Sequence, residues 1–352
     1  MKQSFILLLT LIFSISAWQL YNKINKDTAT EKHNDGVLSD IAEEVVAIPL
    51  QTPSGMEPIK YARNINKQGD YLFLVSRNTL FLFNRKGEFI RQITNPDEIS
   101  VAGYMINEGK KEIIVLGNKD DIHYYNFNGK LLKKKKLKSD LPQQNVMSAV
   151  LYNNRIYTSE RKQIKDSISS CTKIVDCVVE YDTSFNKIGE KKLCDAENGR
   201  KHIAPNYHRA NLMVNKDSGM IYAYKETSEA ESLLRDSLYI FNNDGHIKSD
   251  ENIITSFPVQ LGTRYWISSL TSNSCPEKNN TFCLDIQHNE AWQIKDGFKD
   301  DFFLSGRVSS LCPSDIYCHT YSFFKSGDAL KDCFPENAES DNAVIFIVKM
   351  KS

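Results

Sequence analysis

The stretch LFLFNRKGEFIRQI, Leu80 to Ile93, alternates apolar and polar residues on both sides of a polar turn, Asn84 to Gly87. Two alternating runs joined by a short turn that ends in glycine predict an antiparallel β-hairpin. Gly87 is expected to supply the positive φ that such a turn requires, because glycine adopts that conformation without steric cost.

Related stretches recur along the chain and align on a polar turn residue, with two more short strand candidates before each hairpin. One repeat therefore contains four strands, and the C-terminal third supplies a fifth repeat, with Gly297 at the turn, and most of a sixth. The aligned stretches after the first are IHYYNFNGKLL (122–132), VVEYDTSFNKI (178–188) and SLYIFNNDGHI (237–247), and the aligned turn residues are Asn84, Asn126, Asp182 and Asn242.

A four-stranded sheet cannot bury both of its faces alone, so repeated copies must stack, and radial stacking gives a β-propeller. We therefore predict an all-β, six-bladed β-propeller over residues 41–352. The sixth repeat lacks one strand, and the alternating segment Glu44 to Leu50 is predicted to pair with Ala343 to Val348 and close the ring. A β-sandwich or two unrelated β domains are the alternatives; the recurring turn after the same preceding strands favours the propeller.

The balance of charge argues against nucleic acid as a partner. With Lys and Arg together at 44 and Asp and Glu together at 44, the chain lacks the excess positive charge that attracts nucleic acid. The lysines at 133–136 lie in a predicted outermost strand, where they are expected to protect an exposed edge from pairing with other chains.

The N-terminus predicts export. Residues 1–17 combine one lysine, an apolar run and small residues near Ala17, as in a secretory signal peptide; an uncleaved membrane anchor is the alternative. Residues 18–40 are polar and are interpreted as a linker. The predicted location is the periplasm or the cell surface, with membrane contact only through an uncleaved anchor.

All eight cysteines lie between residues 171 and 333, and export permits disulfides. Eight cysteines allow 105 pairings. The shortest loops favour Cys171 with Cys177, Cys275 with Cys283, and Cys312 with Cys318. Zinc binding is less favoured because no CxxC spacing is present.

The chain resembles the exported six-bladed β-propeller proteins of Bacteroidota, related to the NHL and TolB-type propellers. The resemblance rests on VVAIPLQT (45–52), DYLFLVSRNTLFLFNRKGEFIRQI (70–93), NRIYTSE (154–160) and NAVIFIVKMK (342–351). It implies the fold and export but little chemistry. Family members often carry a lipid-accepting cysteine near the N-terminus, which this chain lacks.

No motif for acyl transfer, zinc proteolysis or nucleotide binding is present, so we predict no catalytic residue, metal or cofactor. Propeller ligands usually lie in the funnel lined by the innermost strands. Guanidinium groups and aromatic faces there suit an anionic or glycan ligand, although arginines at strand ends also serve as solvated or paired rim residues. The predicted ligand-binding residues are Arg63, Arg209, Arg264 and Arg307, with Tyr207, His208, Tyr265 and Trp266 beside them.

Two functions follow. The favoured one is a non-catalytic binding or scaffold propeller that recognises a peptide, protein or glycan at its central funnel. The alternative is a propeller hydrolase or lyase with dispersed site residues, with or without a divalent metal. An enzyme of that kind needs converging carboxylates or histidines, whereas a binder needs only polar and aromatic side chains.

Overall fold

The structure is a computed structural model that describes residues 36–352 with gaps. The gaps fall at 118–120, 138–143, 166–171, 199–209, 215–220, 226–252, 256–258, 263, 273–274, 286, 289, 295–296 and 317–318. The chain forms two compact units, which are described separately. The main unit contains the described residues of 45–225 and 311–349, and the terminal unit contains the described residues of 36–44, 253–310 and 350–352.

Three consecutive four-stranded antiparallel sheets, called blades 1 to 3, make up most of the main unit. In each blade, strands that are neighbours in sequence are neighbours in the sheet. Blade 1 contains β2 (Arg63–Gln68), β3 (Tyr71–Ser76), β4 (Thr79–Asn84) and β5 (Phe89–Gln92). Blade 2 contains β6 (Val101–Asn107), β7 (Glu112–Gly117), β8 (Asp121–Asn126) and β9 (Leu131–Lys136). Blade 3 contains β10 (Gln144–Tyr152), β11 (Arg155–Lys165), β12 (Thr172–Asp182) and β13 (Lys187–Asn198).

A fourth sheet joins the two ends of the folded chain and is called the closing sheet. Its order is β1 (Ala42–Pro49), β25 (Val344–Met350), β24 (Thr320–Lys325) and β23 (Cys312–Pro313). The backbone N–H of Leu50 donates to the carbonyl of Ala343, and that of Lys351 donates to Ile41. The predicted pairing of the first and last strands is therefore confirmed. Two strands after blade 3, β14 (Ala210–Val214) and β15 (Ile221–Lys225), form a separate pair.

The aligned turn residues share one structural role. The side-chain oxygens of Asn84, Asn126 and Asp182 each accept backbone N–H groups from the following turn, which closes the hairpin locally. Gly87 has φ +84°, and a side chain there would collide with the carbonyl of Pro49. Phe185 occupies the equivalent position in blade 3 with φ +56°, and its ring is buried. Asn242 lies outside the described residues.

The blades of the main unit bury both of their faces, which explains the nearly continuous apolar runs in strands such as β3. Because side chains alternate across a strand, Leu72 and Leu74 pack with Ile345 and Ile347 of the closing sheet. Phe73, on the opposite face of β3, joins the cluster that contains residues of blade 2. The next cluster joins blade 2 to blade 3 in the same way.

The outer edge of blade 2 is confirmed as a lysine-rich strand. β9 pairs only with β8 in its sheet, and most of its residues are exposed. Lys134 lies 3.1 Å from Glu98, and Lys136 lies 3.8 Å from Asp121. These lysines therefore cover an exposed sheet edge.

The terminal unit contains a second group of strands. The sheet order is β16 (Ile253–Thr255), β18 (Tyr265–Ser272), β19 (Cys275–Asp285) and β20 (Glu290–Ile294), with β17 (Val259–Leu261) also paired to β18. β21 (Phe298–Lys299) pairs with β22 (Arg307–Val308). Among the described residues, the helical segments are Leu38–Ile41 in this unit, and Gly327–Leu330 (a 3-10 helix) and Pro335–Glu339 in the main unit. No helix in the described part of the chain has the length and apolar character needed to cross a membrane.

The predicted Cys275–Cys283 disulfide is wrong. Both residues lie on β19, where Cys283 is opposite Ile267 and Cys275 is opposite Ser272 of β18. Five extended residues span about 17 Å, far beyond the reach of a disulfide. Cys283 is a buried free thiol. Cys171 and Cys318, the partners in the other two predicted bridges, lie outside the described residues.

Candidate functional site

A polar pocket lies in the main unit where the first strands of blades 1, 2 and 3 end. Its volume is about 510 Å³, which is within the usual range for small-ligand sites. The loop after β23 completes the lining. The backbone N–H of Lys67 donates to Ser314 in that loop at 3.4 Å, which ties the loop to β2. The lining residues are Asn66, Lys67, Gln68, Tyr104, Met105, Ile106, Asn107, Glu108, Ala149, Val150, Leu151, Tyr152, Asn153, Asn154, Asp315 and Ile316.

The repeat brings these residues together. Each first strand is followed by a tight turn into the second strand of its blade, so equivalent strand ends from successive blades meet at the same pocket. In blade 3 the turn residues are Asn153 and Asn154, both with positive φ, a conformation that asparagine tolerates better than most residues. In blade 1, Gly69 has φ +58° directly after β2.

Carboxamide side chains dominate the polar part of the lining. Each carboxamide carries both hydrogen-bond donors and acceptors, so such a wall suits ligands that also have both. The apolar wall comes mainly from β6 and β10. The five carboxamides are Asn66, Gln68, Asn107, Asn153 and Asn154.

Asn107 is the most buried of the five carboxamides, with 6% of its surface exposed. Its Oδ1 accepts the backbone N–H of Lys110 at 3.2 Å. Its Nδ2 is buried and has no hydrogen-bond partner among the described residues. Buried polar atoms without partners are rare in native proteins, so this atom requires an explanation.

Two other polar lining residues are already engaged in the structure. The carboxylate of Asp315 accepts hydrogen bonds from Thr320 N at 2.7 Å and Thr320 Oγ1 at 2.6 Å, which shapes its own loop. The hydroxyl of Tyr104 donates to the carbonyl of Asn64 at 2.6 Å. Burial raises the pKa of Tyr104 well above its ordinary value, so this phenol stays neutral. Of the charged lining residues, Lys67 and Glu108 are exposed.

Arg63 begins β2, the first strand of blade 1, as predicted. Its guanidinium donates to the carbonyls of Val101 at 2.8 Å and Ala102 at 3.4 Å, and to Asn78 at 2.9 Å. These contacts connect blade 1 to the start of blade 2. Arg63 is not among the residues that line the pocket.

The predicted position of Arg264 in an innermost strand is wrong. Arg264 lies just before β18, and both β16 and β17 pair with β18, so a further strand precedes it in the sheet. The Nε of Arg264 lies 3.0 Å from both carboxylate oxygens of Asp285, and its Nη2 lies 2.7 Å from Oδ2. The guanidinium also lies 5.0 Å from the ring centre of Tyr265.

This ion pair is nearly buried, with side-chain exposures of 16% for Arg264 and 4% for Asp285. Burial alone would raise the pKa of Asp285, but hydrogen bonds from Arg264 and His288 outweigh it and hold the pKa well below its ordinary value. His288 Nδ1 lies 2.8 Å from the same carboxylate. Arg264 is therefore bound within the fold, as expected for a rim residue paired with a carboxylate.

The remaining predicted residues are distributed as follows. Arg307 lies in β22, which pairs with β21 and not with the closing sheet, so its predicted place in the sixth repeat is also wrong. Its Nη1 donates to the carbonyl of Gly297 at 3.1 Å. The ring of Tyr265 is buried, and its hydroxyl lies 3.3 Å from the carbonyl of Asp40. Trp266 belongs to β18, and Arg209, Tyr207 and His208 lie outside the described residues.

Blade 3 contains another cluster of titratable side chains. The fully buried Glu160 accepts hydrogen bonds from Thr158 Oγ1 at 2.6 Å and Tyr181 OH at 2.7 Å. Burial raises the pKa of Tyr181, which keeps its hydroxyl available as a donor. The cluster connects β11 to β12 and therefore has a structural role. Across the described residues, no group of three or more His, Cys, Asp or Glu is placed to hold a metal ion.

Comparisons with solved structures give similar but distant chains. A protein of unknown function from Bacteroides caccae is 10% identical with a TM-score of 0.37, covering 72% of this chain and 82% of its own. The Cps50 (Swd1) beta-propeller domain of Myceliophteria thermophila is 9% identical with a TM-score of 0.39, covering 87% of this chain and 100% of its own. A chain of a Nidogen/Laminin complex is 12% identical with a TM-score of 0.32, covering 63% and 73%.

A comparison with curated proteins finds no match. A family model described as a 6-bladed beta-propeller, DUF5128, matches residues 21–226, more than half of the chain. The successive four-stranded sheets of blades 1 to 3 lie within this matched segment. The protein belongs to the DUF5128 family of 6-bladed beta-propellers.

Proposed function

We propose that the protein is an exported, non-catalytic binding propeller that recognises its ligand in the pocket at the ends of β2, β6 and β10. The observation that carries this proposal is the lining of that pocket, in which three successive blades contribute five carboxamide side chains. Such groups form reversible hydrogen bonds and do not act as nucleophiles or as general acids and bases at neutral pH.

The charged lining residues support recognition over catalysis. Asp315 is held by hydrogen bonds from its own loop, and Lys67 and Glu108 are exposed. General acid–base catalysis requires titratable groups with a shifted pKa in a defined geometry. The charged side chains of the described lining meet this requirement less well than its carboxamides meet the needs of recognition by hydrogen bonding.

The proposal also covers where the protein is located and what kind of ligand it binds. The proposal of export rests on the signal-like N-terminal residues 1–17 and on the resemblance of the sequence to exported propellers. A pocket of about 510 Å³ accommodates a small molecule or a short part of a peptide, protein or glycan.

A binding screen tests this function. The purified wild-type chain is applied to an oligosaccharide array and to a peptide array, beside the double variant Asn66→Ala/Gln68→Ala. Loss of two hydrogen bonds of about 1 kcal/mol each is expected to weaken binding at least about tenfold. Asn128→Ala, an exposed asparagine in the β8–β9 turn, is the matched control and should bind like wild type.

Two outcomes would overturn the proposal. One is that neither array captures the wild-type chain. The other is that the double variant binds as well as wild type, because the ligand would then lie elsewhere. Both variants should keep the wild-type melting temperature, since the substituted side chains are half-buried or exposed.

A further inference from the structure

We propose that the loop 301–306 of the terminal unit is a membrane-contact loop, whose exposed Phe302 and Leu304 side chains enter the surface of the lipid bilayer that holds residues 1–17. These N-terminal residues then act as an uncleaved anchor. The loop does not line the ligand pocket, so a membrane contact there goes beyond the proposed binding function.

The loop presents two apolar side chains to solvent. Leu304 is 71% exposed, the highest exposure of any large hydrophobic residue that the structure describes, and Phe302 is 38% exposed. The other exposed large hydrophobic residues of the described chain stand singly in the sequence, whereas these two are separated by one residue. Single exposed apolar residues are common on protein surfaces, but contiguous ones mark interaction sites.

Hydrogen bonds hold this loop in one shape. The carboxylate of Asp300 is fully buried and accepts the backbone N–H groups of Phe302 at 3.1 Å and Ser305 at 3.2 Å. The backbone N–H of Asp300 donates to the carbonyl of Gly306 at 2.8 Å, which closes the loop. The loop cannot fold its two apolar side chains inward without breaking these bonds, so they stay exposed.

The backbone of Leu304 makes the choice of leucine unusual. Its φ is +61°, a left-handed conformation that residues with a side chain rarely adopt. Glycine or asparagine would satisfy such a turn at less cost and without exposing an apolar side chain. Turn formation alone therefore does not explain a leucine at this position.

The N-terminal part of the chain joins the fold beside this loop. The described chain begins at Gly36, whose carbonyl accepts the backbone N–H of Lys299 at 2.8 Å. The backbone N–H of Ser39 donates to the carboxylate of Asp301, in the loop itself, at 3.0 Å. A bilayer that holds residues 1–17 is therefore tethered beside the loop, which raises its effective concentration there.

The sequence of the N-terminal segment suits an anchor that needs support. No charged residue occurs between Phe5 and Leu20, and Trp18 and Tyr21 stand at the end of this stretch, as in the aromatic belts of membrane surfaces. The stretch is shorter than the about 20 residues of a typical membrane-spanning helix. A second contact, made by the loop, would strengthen its hold on the membrane.

The size and charge of the loop favour a bilayer over a protein partner. Two partly exposed side chains offer far less than the roughly 800 Å² that each partner contributes to a standard protein interface. A bilayer contact needs less area, because the anchor already keeps the loop at the membrane. The exposed Lys299 suits lipid phosphates, and the carboxylate of Asp301 is engaged by Ser39.

Tryptophan fluorescence in vesicles tests the contact. The full-length chain with Leu304→Trp is reconstituted into phosphatidylcholine vesicles, with and without brominated acyl chains. Its extra emission relative to wild type should fall at least about twofold in the brominated lipid, because interfacial side chains lie roughly 5 to 10 Å inside the headgroup boundary. The melting temperature should stay close to that of wild type, since the substituted side chain is exposed.

Two further variants make the test specific. Phe302→Trp places the probe at the second apolar position of the loop and should be quenched in the same way. Leu132→Trp is the matched control, because Leu132 is also an exposed leucine, at 51%, but lies in strand β9 of the main unit. Its extra emission should be equal in the two lipids.

The possible results separate the bilayer from other partners. Extra emission that is equal in both lipids for the two loop variants would overturn the membrane contact, as would equal quenching of Leu132→Trp or failure of the chain to associate with the vesicles. A shift of the loop emission to shorter wavelength without vesicles would also overturn it. That shift would assign the loop to a second copy of the chain if it depends on protein concentration, and to residues 1–17 if it does not.

None of these results bears on the proposed binding function. The arrays test the pocket in the main unit, and the vesicles test the loop in the terminal unit. Failure of one can therefore be told from failure of the other.

Discussion

The backbone N–H of Leu50 donates to the carbonyl of Ala343 at 3.1 Å, so residues from opposite ends of the folded chain pair in one sheet. Beside this hydrogen bond, Ile48 is 1% exposed and packs in the same cluster as Ile345 and Ile347. The first strand therefore supplies the edge of the closing sheet and part of its core.

Ile48→Ala should lower the free energy of unfolding by about 3 kcal/mol, because it leaves a cavity between the closing sheet and blade 1. Chemical denaturation followed by tryptophan and tyrosine fluorescence measures the loss. Val46→Ala is the matched control, since Val46 lies on the same strand but is 36% exposed. Equal stability for both variants would contradict the pairing of β1 with the core.

Arg264→Ala should destabilise the terminal unit by about 3 to 5 kcal/mol, because it leaves the carboxylate of Asp285 buried without its main partner. Differential scanning calorimetry gives the shift in melting temperature. Arg85→Ala provides the control: Arg85 is 68% exposed and lies 3.5 Å from Asp70, so less than about 1 kcal/mol is expected. An unchanged melting temperature for Arg264→Ala would show that the ion pair has no structural role.

The same pair predicts a pH dependence. The pKa of Asp285 is lower in the folded state than in the unfolded state, where it is about 3.9. The carboxylate therefore stabilises the fold above about pH 4, and this contribution is lost as the pH falls toward the folded-state pKa.

Melting temperatures of wild type and Asp285→Asn, measured from pH 7 to pH 2, test this linkage. The difference between the two proteins should be constant from pH 7 to pH 5 and should shrink below about pH 4, where Asp285 of the unfolded wild type becomes protonated while the folded carboxylate is still ionised. A difference that stays the same down to pH 2 would contradict the assignment of a lowered pKa to Asp285.

The sequence predicted the blade architecture well because the repeat is local. Asn84, Asn126 and Asp182 were aligned by their position before a turn, and each accepts the turn N–H groups in the structure. The pairing of Glu44 to Leu50 with the last strand could also be predicted, because an alternating segment was present and one strand was missing.

Strand order in the terminal unit was harder to predict. Alternation indicates a strand but not its position in a sheet. The sequence therefore predicts innermost strands at Arg264 and Arg307, whereas the structure places these residues elsewhere in the sheets. Because the short strand β17 pairs with β18, β18 is not the first strand of its sheet. β22 pairs with its neighbour in sequence, β21. Short separation in sequence favours a Cys275–Cys283 disulfide, but both residues lie on the single strand β19, which holds them apart.

The pocket residues were missed because asparagine before a turn is usually explained by turn formation. A signal is nevertheless present: Gln68 and Asn107 end the first strands of blades 1 and 2, and Asn153 directly follows the first strand of blade 3. Turn formation alone does not explain Asn107, whose oxygen caps the turn while its nitrogen has no partner among the described residues. That distinction requires side-chain geometry, which no sequence pattern contains.

The decisive measurement is a crystal structure of the wild-type chain with the ligand that the arrays capture most strongly. We expect this ligand between the ends of β2, β6 and β10, with hydrogen bonds of about 2.9 Å to the carboxamides of Asn66 or Gln68. A ligand bound away from these strand ends would contradict the proposed binding function.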